Sequence, residues 1–577
     1  MRSIVIKTGF GGARTSGSAS QTTTSTSVGQ ESVAVGGKGH NQTVIIGATV
    51  VVLVVMSTIF VSVLAPGRLG EYHDDAIYVT TAKALATGQG YRIISLPYEP
   101  AQTKYPPFYP FLLSLIWRVY PQFPQNLIWM MLLSVVATLS FLGLTFGYLV
   151  RQGYSTPLQA LIVVTLAAIN WRTLTLATGI YSEMVYGVLS VAALYIADAH
   201  EKDQKSWPNR VLLGALLGLA FLTRSSGIAL LISVGAYYLI RKQPRKAFVT
   251  VGVGGLFVLG WVGWCFINKT RADAVNVAYY TSYFGHFSQV VSDLGMMNHT
   301  SWPTTLLGIV GRNALMLIVI SIPVVCLGIP YEWILPFGFT LMFFAAGFYR
   351  RISHGLRLLH VYLICYLALH LFWLPNVTYD RFLIPLLPFL LLILVSEFTA
   401  LTLLLRKEWS TGREAAKKVS VGLIGLAMIA AAGTTLYSYG SNLYSSIRSV
   451  STITTSGPAG TDAEAIRWIN AHTNQADVLV CYCDPLYFLY TGHKATRSLP
   501  MRAGVTWEAH QMSIFAIINE SNSRYLISTS KDFENEYQPE QQRESLKALI
   551  DQHPEKFSLV FESTDGRSAI YAINSAE

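Results

Sequence analysis

Long apolar segments recur along most of this chain, and they constrain its fold more than any other feature. The first runs from Thr43 to Leu64 and is long enough to cross a bilayer, because about 20 apolar residues suffice. Hydrophobic residues make up 52% of the 577 residues and charged residues 13%, about half the charged share of a soluble domain. The sequence therefore predicts a mainly α-helical, polytopic membrane protein with about 11 to 13 transmembrane helices.

Lysine and arginine indicate which helix ends face the cytoplasm, since both residues concentrate in cytoplasmic loops. Residues 1–42 are rich in serine, threonine and glycine and contain several basic residues, so we expect a disordered cytoplasmic tail there. The formal net charge of +10 then belongs to loops, and no basic patch interleaved with aromatic residues indicates nucleic-acid binding. We expect a multi-pass protein of the bacterial inner (plasma) membrane with a cytoplasmic N-terminus.

Composition changes twice along the chain and divides it into three regions. After the tail, residues 43–438 form the predicted transmembrane domain, with extracytoplasmic loops at 65–125 and 268–303. From 439 to 577 charges return and short strand patterns alternate with helix patterns, which predicts a small extracytoplasmic α/β domain. Its predicted helices and strands cover 463–472, 478–482, 507–519, 525–528, 543–552, 559–562 and 569–573.

The number of crossings between 304 and 357 stays open in the sequence. Arg350, Arg351 and Arg357 favour a cytoplasmic position, which requires an odd number of passes from the preceding outer loop. Either one segment is re-entrant, or this basic loop departs from the usual distribution of charge.

Two adjacent acids, Asp74 and Asp75, follow the first apolar segment at the predicted extracytoplasmic face. Two neighbouring carboxylates can divide their roles, because one charged acid raises the pKa of the other. One could act as a general base while the other orients a hydroxyl or binds a metal. The alternative is an acidic cap on the helix that begins here, and both interpretations can hold together.

Lys104 lies further along the same predicted loop, directly before Tyr105-Pro106-Pro107. The prolines restrict the backbone and would hold the lysine in place. A lysine at this interface could bind a phosphate as a point charge. The alternative is that its side chain extends to lipid headgroups.

Three more charged residues border apolar segments. Glu183 begins one of them, where an ionisable residue suggests function, although a carboxylate at a helix N-terminus is also favoured by the helix dipole. Arg224 and Arg381 fall in predicted outer turns, where basic residues are less common, so each should have an anionic partner. For Arg224 we favour an acid, and for Arg381 either a phosphate or its neighbour Asp380.

Other residue types indicate no further chemistry. His73, His286 and His299 lack the spacing of metal ligands and are interpreted as isolated polar loop residues, and the five cysteines as structural. The chain has no phosphate-binding loop, dinucleotide glycine pattern or nucleophile elbow. No cofactor is indicated with certainty, and a divalent metal is left open.

In their order along the chain, these motifs resemble those of the GT-C superfamily, whose glycosyltransferases use lipid-linked sugars. Within it the chain is similar to protein O-mannosyltransferases and to the lipid A aminoarabinose transferases, over about residues 43–405. The matching motifs are Asp74 to Tyr78, Lys104 to Pro107, Ser182-Glu183, Leu222 to Arg224 and Arg381 to Pro385. The chain departs from the family at Asp75, where glutamate is common. From the aminoarabinose transferases it departs at Ile77, where they have an arginine, and at Thr103, where they have an acid.

The resemblance implies an inverting transfer of a sugar from polyprenyl phosphate to an extracytoplasmic acceptor, which is a protein, lipid or glycan. It implies catalytic roles for Asp74 as the base, and for Asp75 and Glu183. The substrate-binding residues it implies are Tyr78, Lys104, Tyr105, Arg224 and Arg381. The implied partners are the lipid-linked donor, the acceptor and the bilayer. Two alternatives remain open: a transporter or flippase of lipid-linked glycans without transfer activity, and a polymerase or ligase of such glycans.

Overall fold

A computed structural model describes nine segments of the chain, separated by short gaps. They are residues 36–199, 207–269, 277–329, 334–373, 379–411, 415–455, 462–498, 506–529 and 539–574. Most of the predicted tail, residues 1–35, therefore lies outside the described residues. The chain divides into two compact units, Met1–Val44 and Ile45–Glu577, and apart from the start of the first helix everything below concerns the second.

Helices dominate the described residues. They are α1 Gly36–Ser62, α2 Asp74–Ala86, α3 Phe108–Val119, α4 Leu127–Arg151, α5 Pro157–Ile169, α6 Trp171–Ala177, α7 Glu183–Ala199, α8 Trp207–Thr223, α9 Gly227–Ile240, α10 Pro244–Ile267, α11 Val277–Thr281, α12 Tyr283–Met297, α13 Trp302–Ala314, α14 Ile322–Leu327, α15 Ile334–Ser353, α16 Leu358–His370, α17 Asp380–Leu383, α18 Leu387–Thr411, α19 Ala415–Thr455, α20 Ala463–His472, α21 Asp484–Thr491, α22 Trp507–Ser521 and α23 Pro539–Gln552. The strands are β1 Val478–Cys481, β2 Ala495–Arg497, β3 Ser523–Thr529, β4 Phe557–Glu562 and β5 Ser568–Ile573.

Several helices are long and apolar enough to cross a membrane. Within the described segments there are six by length and composition, or seven when the bent pair α5 and α6 counts as one span. The six are Gln42–Ser62, Leu127–Arg151, Pro244–Ile267, Trp302–Leu327, Asp380–Ser410 and Lys418–Arg448. Four shorter apolar helices, α3, α8, α9 and α16, add to them. The multi-pass architecture is confirmed, and counting the bent pair and the four shorter helices as crossings gives 11, the lowest of the expected 11 to 13.

Helix α7 defines the two ends of the helical bundle. It begins at Glu183, and near its other end Asp198 accepts hydrogen bonds from Tyr148 and Tyr154, at 2.8 and 2.7 Å. Those tyrosines lie where α4 ends at Arg151. We call the end where α7 begins the site end, and the end where α4 finishes the basic end.

Two arginines in the last turn of α15, and a third just after it, lie at the basic end. Arg357 donates to the carbonyl of Gln152 at 2.7 Å, and Arg351 to the carbonyl of Tyr154 at 3.4 Å. Arg350 forms an ion pair with Glu397 at 2.7 Å. The residues that the charge pattern groups on one membrane face are therefore neighbours in space.

The contacts of the segment Trp302–Leu327 bear on the number of crossings between 304 and 357, which the sequence leaves open. Asn313 donates to the carbonyl of Leu371, just past the end of α16 that lies away from Arg357, at 3.0 Å. Later in the segment, the Val325 carbonyl accepts from Asn170, beside α6, at 2.9 Å. Both halves are thus held toward the site end, and a short π-helix, residues 315–321, lies between them. These contacts favour the re-entrant interpretation, with α15 as the crossing to the basic end.

The C-terminal region folds into a five-stranded sheet in the order β2-β1-β3-β5-β4. Strands β2, β1 and β3 run parallel to one another. Strand β5 runs antiparallel to both of its neighbours, β3 and β4. Leu479 and Cys481 face α20 and α21, while Val480 between them faces α22 and α23. This alternation follows from the two-residue period of a strand, so both faces of the central strand β1 are buried.

The sequence patterns locate four of the five strands. They miss β2, which at three residues is too short for an alternation signal, and α21, which begins at Asp484-Pro485. Strand β2 also reaches outside the sheet domain, because the Ala495 amide donates to the Ser95 carbonyl at 2.9 Å and Lys494 pairs with Glu99. The C-terminal domain is thereby joined to the segment between α2 and α3.

The turn between α8 and α9 packs two backbones closely. A Cβ at Gly227 would lie 2.6 Å from the backbone nitrogen of Phe221 and 2.7 Å from the Ala220 carbonyl carbon. Backbone atoms cannot move aside as a flexible side chain can. Gly227 therefore sets the shape of the turn that contains Arg224.

We predict that Gly227→Ala lowers the free energy of unfolding by about 1–3 kcal/mol, because the added methyl group must displace backbone. Gly255→Ala in α10 is the matched control, since a Cβ there meets nothing within 4 Å. Thermal unfolding of the detergent-solubilised protein measures both. Equal stability of the two variants would contradict the prediction.

Candidate active site

Four charged residues that are distant in sequence meet at the site end. Arg381 binds the Asp74 carboxylate with both terminal nitrogens, at 2.7 and 3.3 Å. Its Nε donates to Oε1 of Glu183, and Nη1 of Arg224 lies 2.9 Å from the same oxygen. The order Asp74–Arg381–Glu183–Arg224 thus alternates in charge, and we call these four residues the charge chain.

Local structure brings the charge chain together. Asp74 and Glu183 are the first residues of α2 and α7, where the helix dipole favours a negative charge. Arg381 lies in the short helix α17, and Arg224 in the turn before α9. An unpaired buried charge is costly, so each member requires an opposite neighbour.

Exposure differs along the charge chain. The Glu183 side chain is 0% exposed and that of Arg381 4%, whereas Asp74 is 14% exposed and Arg224 11%. The guanidinium of Arg381 also packs against two rings, 4.7 Å from the centroid of Tyr72 and 5.1 Å from that of Tyr181. The ends of the charge chain therefore reach solvent, while its middle is fixed inside the protein.

Asp75 has a different environment from its neighbour Asp74. It is buried, and its Oδ2 accepts from the Gly70 amide at 2.7 Å, while its Oδ1 has no hydrogen-bond partner among the described residues. Burial raises the pKa of Asp75 to about 7, and the nearby charge of Asp74 adds to this. Two adjacent carboxyls with different environments can perform different roles.

Lys104 lies in an aromatic shell. Its Nζ donates to the Tyr279 carbonyl at 2.7 Å and lies 5.4 Å from the ring centroids of both Tyr105 and Tyr283. Burial raises the pKa of the Tyr283 hydroxyl, and Arg224 and Asp74 are among the charges that act on it. Tyr283 thus neighbours both Lys104 and the charge chain, which places them on one side of the molecule.

The remaining predicted site residues complete this arrangement. The Tyr78 ring packs edge-on against Tyr105, with centroids 5.1 Å apart, and its hydroxyl lies 3.4 Å from the Ser182 hydroxyl. Arg224 donates to the same Ser182 oxygen at 2.9 Å. The structure brings all eight candidate residues of the sequence into this one region.

A second ion pair lies beside the charge chain, and the sequence analysis missed it. Asp380 pairs with Arg172 of α6, whose Nε donates at 2.7 Å, and Arg172 also donates to the Tyr72 hydroxyl. Of the two alternatives for Arg381, the local pair with Asp380 is therefore wrong. Neighbouring residues in a helix point in different directions, so each finds its own partner.

The interpretation of His73 as an isolated loop residue is also wrong. His73 is buried, and its Nε2 lies 2.9 Å from Oδ1 of Asp484 in the C-terminal domain. His299 is exposed, and the His286 side chain lies outside the described residues. One sequence signal could have revealed Asp484, because it begins a helix with an acid just as Asp74 and Glu183 do.

A divalent metal does not fit the residues present. Across the described segments, no three His, Cys, Asp or Glu side chains are grouped so that they could hold an ion. The exposed carboxylate, Asp74, already faces a guanidinium. We derive no step through a metal.

The chain has recognisable relatives in sequence and in structure. The family model of glycosyltransferase family 87 matches residues 103–375, just under half of the chain. No curated protein matches the sequence. The match to a glycosyltransferase family favours an enzyme over a transporter or flippase.

Solved structures of GT-C enzymes share the fold. One is the oligosaccharyltransferase of Archaeoglobus fulgidus tethered with an acceptor peptide, at 14% identity and a TM-score of 0.50, covering 92% of this chain and 74% of that one. ArnT from Cupriavidus metallidurans in the apo state matches at 12% identity and a TM-score of 0.50, covering 91% and 98%. ArnT bound to undecaprenyl phosphate matches at 11% identity and 0.50, covering 92% and 98%. The resemblance to the GT-C superfamily is confirmed.

We predict that the contribution of Asp75 to stability falls as pH rises from about 4 to 7, because the buried Asp75 carboxyl keeps its proton after the unfolded one has ionised. Asp75→Asn should remove most of this loss and stabilise the protein at pH 8 by on the order of 3 kcal/mol. Thermal unfolding between pH 4.5 and 8 tests this. Asp484, whose pKa burial also raises to about 7, leaves a residual slope in the variant. Parallel profiles of wild type and variant would contradict the prediction.

Proposed function

We propose that this chain, a GT-C-type membrane glycosyltransferase, moves a sugar from a polyprenyl-phosphate carrier to an extracytoplasmic acceptor. The observation that supports this most is the charge chain, in which a partly exposed carboxylate, Asp74, and a partly exposed cation, Arg224, are joined through buried Arg381 and Glu183 at one end of an apolar bundle. A donor on polyprenyl phosphate agrees with the fold shared with ArnT bound to undecaprenyl phosphate. An acceptor outside the cytoplasm, whether protein, lipid or glycan, agrees with the oligosaccharyltransferase tethered to an acceptor peptide.

Asp74 is the proposed base, because it is the most exposed of the three candidate acids. Its carboxylate takes the proton of an acceptor hydroxyl or amine as that group attacks the anomeric carbon of the sugar. The new bond forms opposite the phosphate, and the bond between carbon and phosphate oxygen breaks with its electron pair on the phosphate. The configuration at the anomeric carbon is thereby inverted.

Lys104, Arg224 and Arg381 are the proposed partners of the donor phosphate. Negative charge grows on the phosphate as it leaves, and fixed cations stabilise that change more than they stabilise the bound donor. An ammonium contributes as a point charge, whereas a guanidinium offers a planar pair of donors. Tyr105 packs against both Lys104 and Tyr78, and the Tyr78 hydroxyl shares Ser182 with Arg224.

The two buried acids have supporting roles in this proposal. Glu183 is fully buried and accepts from both Arg381 and Arg224, so it orients the two guanidinium groups. Asp75 holds the start of α2 through its bond to the Gly70 amide.

The proposed topology follows from the distribution of charge. Arg350, Arg351 and Arg357 lie at the basic end, which we place in the cytoplasm by the positive-inside tendency. The site end and the sheet domain then face outward, with the transmembrane domain at 43–438 and the outer domain at 439–577. A bacterial inner membrane with a cytoplasmic N-terminus fits this arrangement.

Replacing the base should abolish most of the activity. We expect Asp74→Asn to lower kcat by about 100- to 10,000-fold, because the amide cannot accept the proton. The assay follows transfer of tritiated sugars from a panel of undecaprenyl-phosphate sugars to cell-envelope acceptors, with mass analysis of the products. Asp198→Asn at the basic end is the control and should stay within a few-fold of wild type. An Asp74→Asn enzyme as fast as wild type would refute the proposed base.

Removing the lysine charge should weaken binding of the carrier. We expect Lys104→Met to bind undecaprenyl phosphate at least about 10-fold more weakly, the effect of one lost charge-assisted hydrogen bond. Lys83→Met is the control, since Lys83 lies over the Phe488 and Trp117 rings and outside the charge chain. Unchanged affinity of the Lys104 variant would remove the lysine from the phosphate site.

A further inference from the structure

His73, which directly precedes the proposed base, has an unusual backbone conformation. Its φ is 62° and its ψ is −45°, and the Asp74 amide donates to the Tyr72 carbonyl at 2.7 Å. A three-residue hydrogen-bonded turn with positive φ at its centre is a strained γ-turn. Such strain costs about 1–3 kcal/mol and persists only when the surroundings hold it in place.

The side chain of His73 shows what holds this turn. Its Nε2 lies 2.9 Å from Oδ1 of Asp484, and its Nδ1 lies 3.1 Å from the Tyr279 hydroxyl. The Tyr280 hydroxyl donates to the same Asp484 oxygen at 2.6 Å. Both nitrogens of a buried imidazole are thus engaged, which fixes the ring and the backbone beneath it.

The directions of these hydrogen bonds are mutually consistent. Burial, and then the charges of Arg497 and Lys104, lower the pKa of His73, so its ring is neutral near pH 7. Arg497 donates to the Tyr279 oxygen, and the hydrogen of the Tyr279 hydroxyl can then point to Nδ1 of His73. Nε2 then has the hydrogen and donates to Asp484.

Asp484 lies 411 positions from His73 in the sequence and begins α21 of the C-terminal domain. The same network includes Lys104, whose Nζ donates to the Tyr279 carbonyl. The C-terminal domain therefore contacts both the turn before the proposed base and the support of the proposed phosphate ligand.

We propose that Asp484 is a positioning residue that acts through His73 to hold the strained turn and so aligns Asp74 with Arg381, an inference that rests on the proposed function of Asp74. Without the His73–Asp484 bond, the turn relaxes to negative φ and redirects the chain at the first residue of α2. The two-bond contact between Asp74 and Arg381 depends on that direction. A displacement of about 1 Å at a reacting group can lower the rate about 100-fold.

Two measurements test this proposal in the full-length protein. Hydrogen exchange of the peptide covering residues 68–78, followed by mass spectrometry, reports on the turn without any substrate. The kcat and KM for the undecaprenyl-phosphate sugar that wild type turns over report on alignment. Asp484→Leu should increase exchange in that peptide and lower kcat roughly 10- to 100-fold, with KM changed by no more than a few-fold.

Matched variants separate positioning from general stability. Asp484→Asn retains an oxygen that can accept from His73 and Tyr280, so it should recover most of the wild-type kcat. Asp462→Leu removes another buried acid of the same domain, one that accepts from Tyr487 and Thr529. It should lower the melting temperature while leaving both kcat and exchange of the 68–78 peptide unchanged.

A glycine at the turn provides a second test. His73→Gly allows positive φ without a side chain, so adding Asp484→Leu to it should change kcat little further. Should Asp484→Leu fail to fold, His73→Ala replaces it, because alanine loses the imidazole contact and disfavours positive φ, and it should likewise increase exchange and lower kcat.

Each outcome decides the proposal. Increased exchange with a lower kcat in Asp484→Leu supports it. Unchanged exchange, or an unchanged kcat, or an equal kcat loss in Asp462→Leu would overturn it. A fully active Asp74→Asn enzyme would instead refute the proposed base, whereas the exchange result would still show whether Asp484 holds the turn.

Discussion

The requirement that a buried charge has an opposite neighbour organises the site end. Arg381 satisfies it by binding Asp74 with two nitrogens and Glu183 with the third, and Arg224 completes the neutralisation of Glu183. Buried ion pairs contribute little net stability, because desolvation offsets their attraction, but breaking one leaves a costly charge. The charge chain therefore specifies position more than it stabilises the fold, and it joins helices that begin far apart in the sequence.

The two neighbouring carboxyls illustrate how position becomes chemistry. Asp74 is partly exposed beside the guanidinium of Arg381, whereas Asp75 is buried and accepts a hydrogen bond from the Gly70 amide. Burial raises the pKa of Asp75 to about 7. Successive side chains of a helix are rotated by about 100° about its axis. This rotation is enough to give the two acids different surroundings. In the proposed reaction the first acid accepts a proton and the second shapes the loop, so the pair does not act as a symmetric dyad.

Sequence patterns predicted the helices and the charged site residues that are marked by local signals. Apolar length identified the membrane helices, helix periodicity placed α20 with both ends correct, and acids or arginines at the borders of apolar segments identified the members of the charge chain. Partnership could not be predicted, because Arg381 and Asp74 are 307 positions apart and one sequence contains no information on which charges meet. The buried role of His73 was missed for the same reason, since its partner begins a helix that no periodic pattern marks.

The bond between His73 and Asp484 also has a consequence for how the protein is made. The ribosome must synthesise the whole bundle, and α20 and β1 of the sheet domain, before it reaches Asp484, the residue proposed to hold the turn before α2. In the proposed topology, that residue must then cross the membrane before it can meet its partner. A chain truncated before α21 would insert its helices with the turn at residue 73 unsupported, so maturation of the site is a late event in biogenesis, tied to export of the C-terminus.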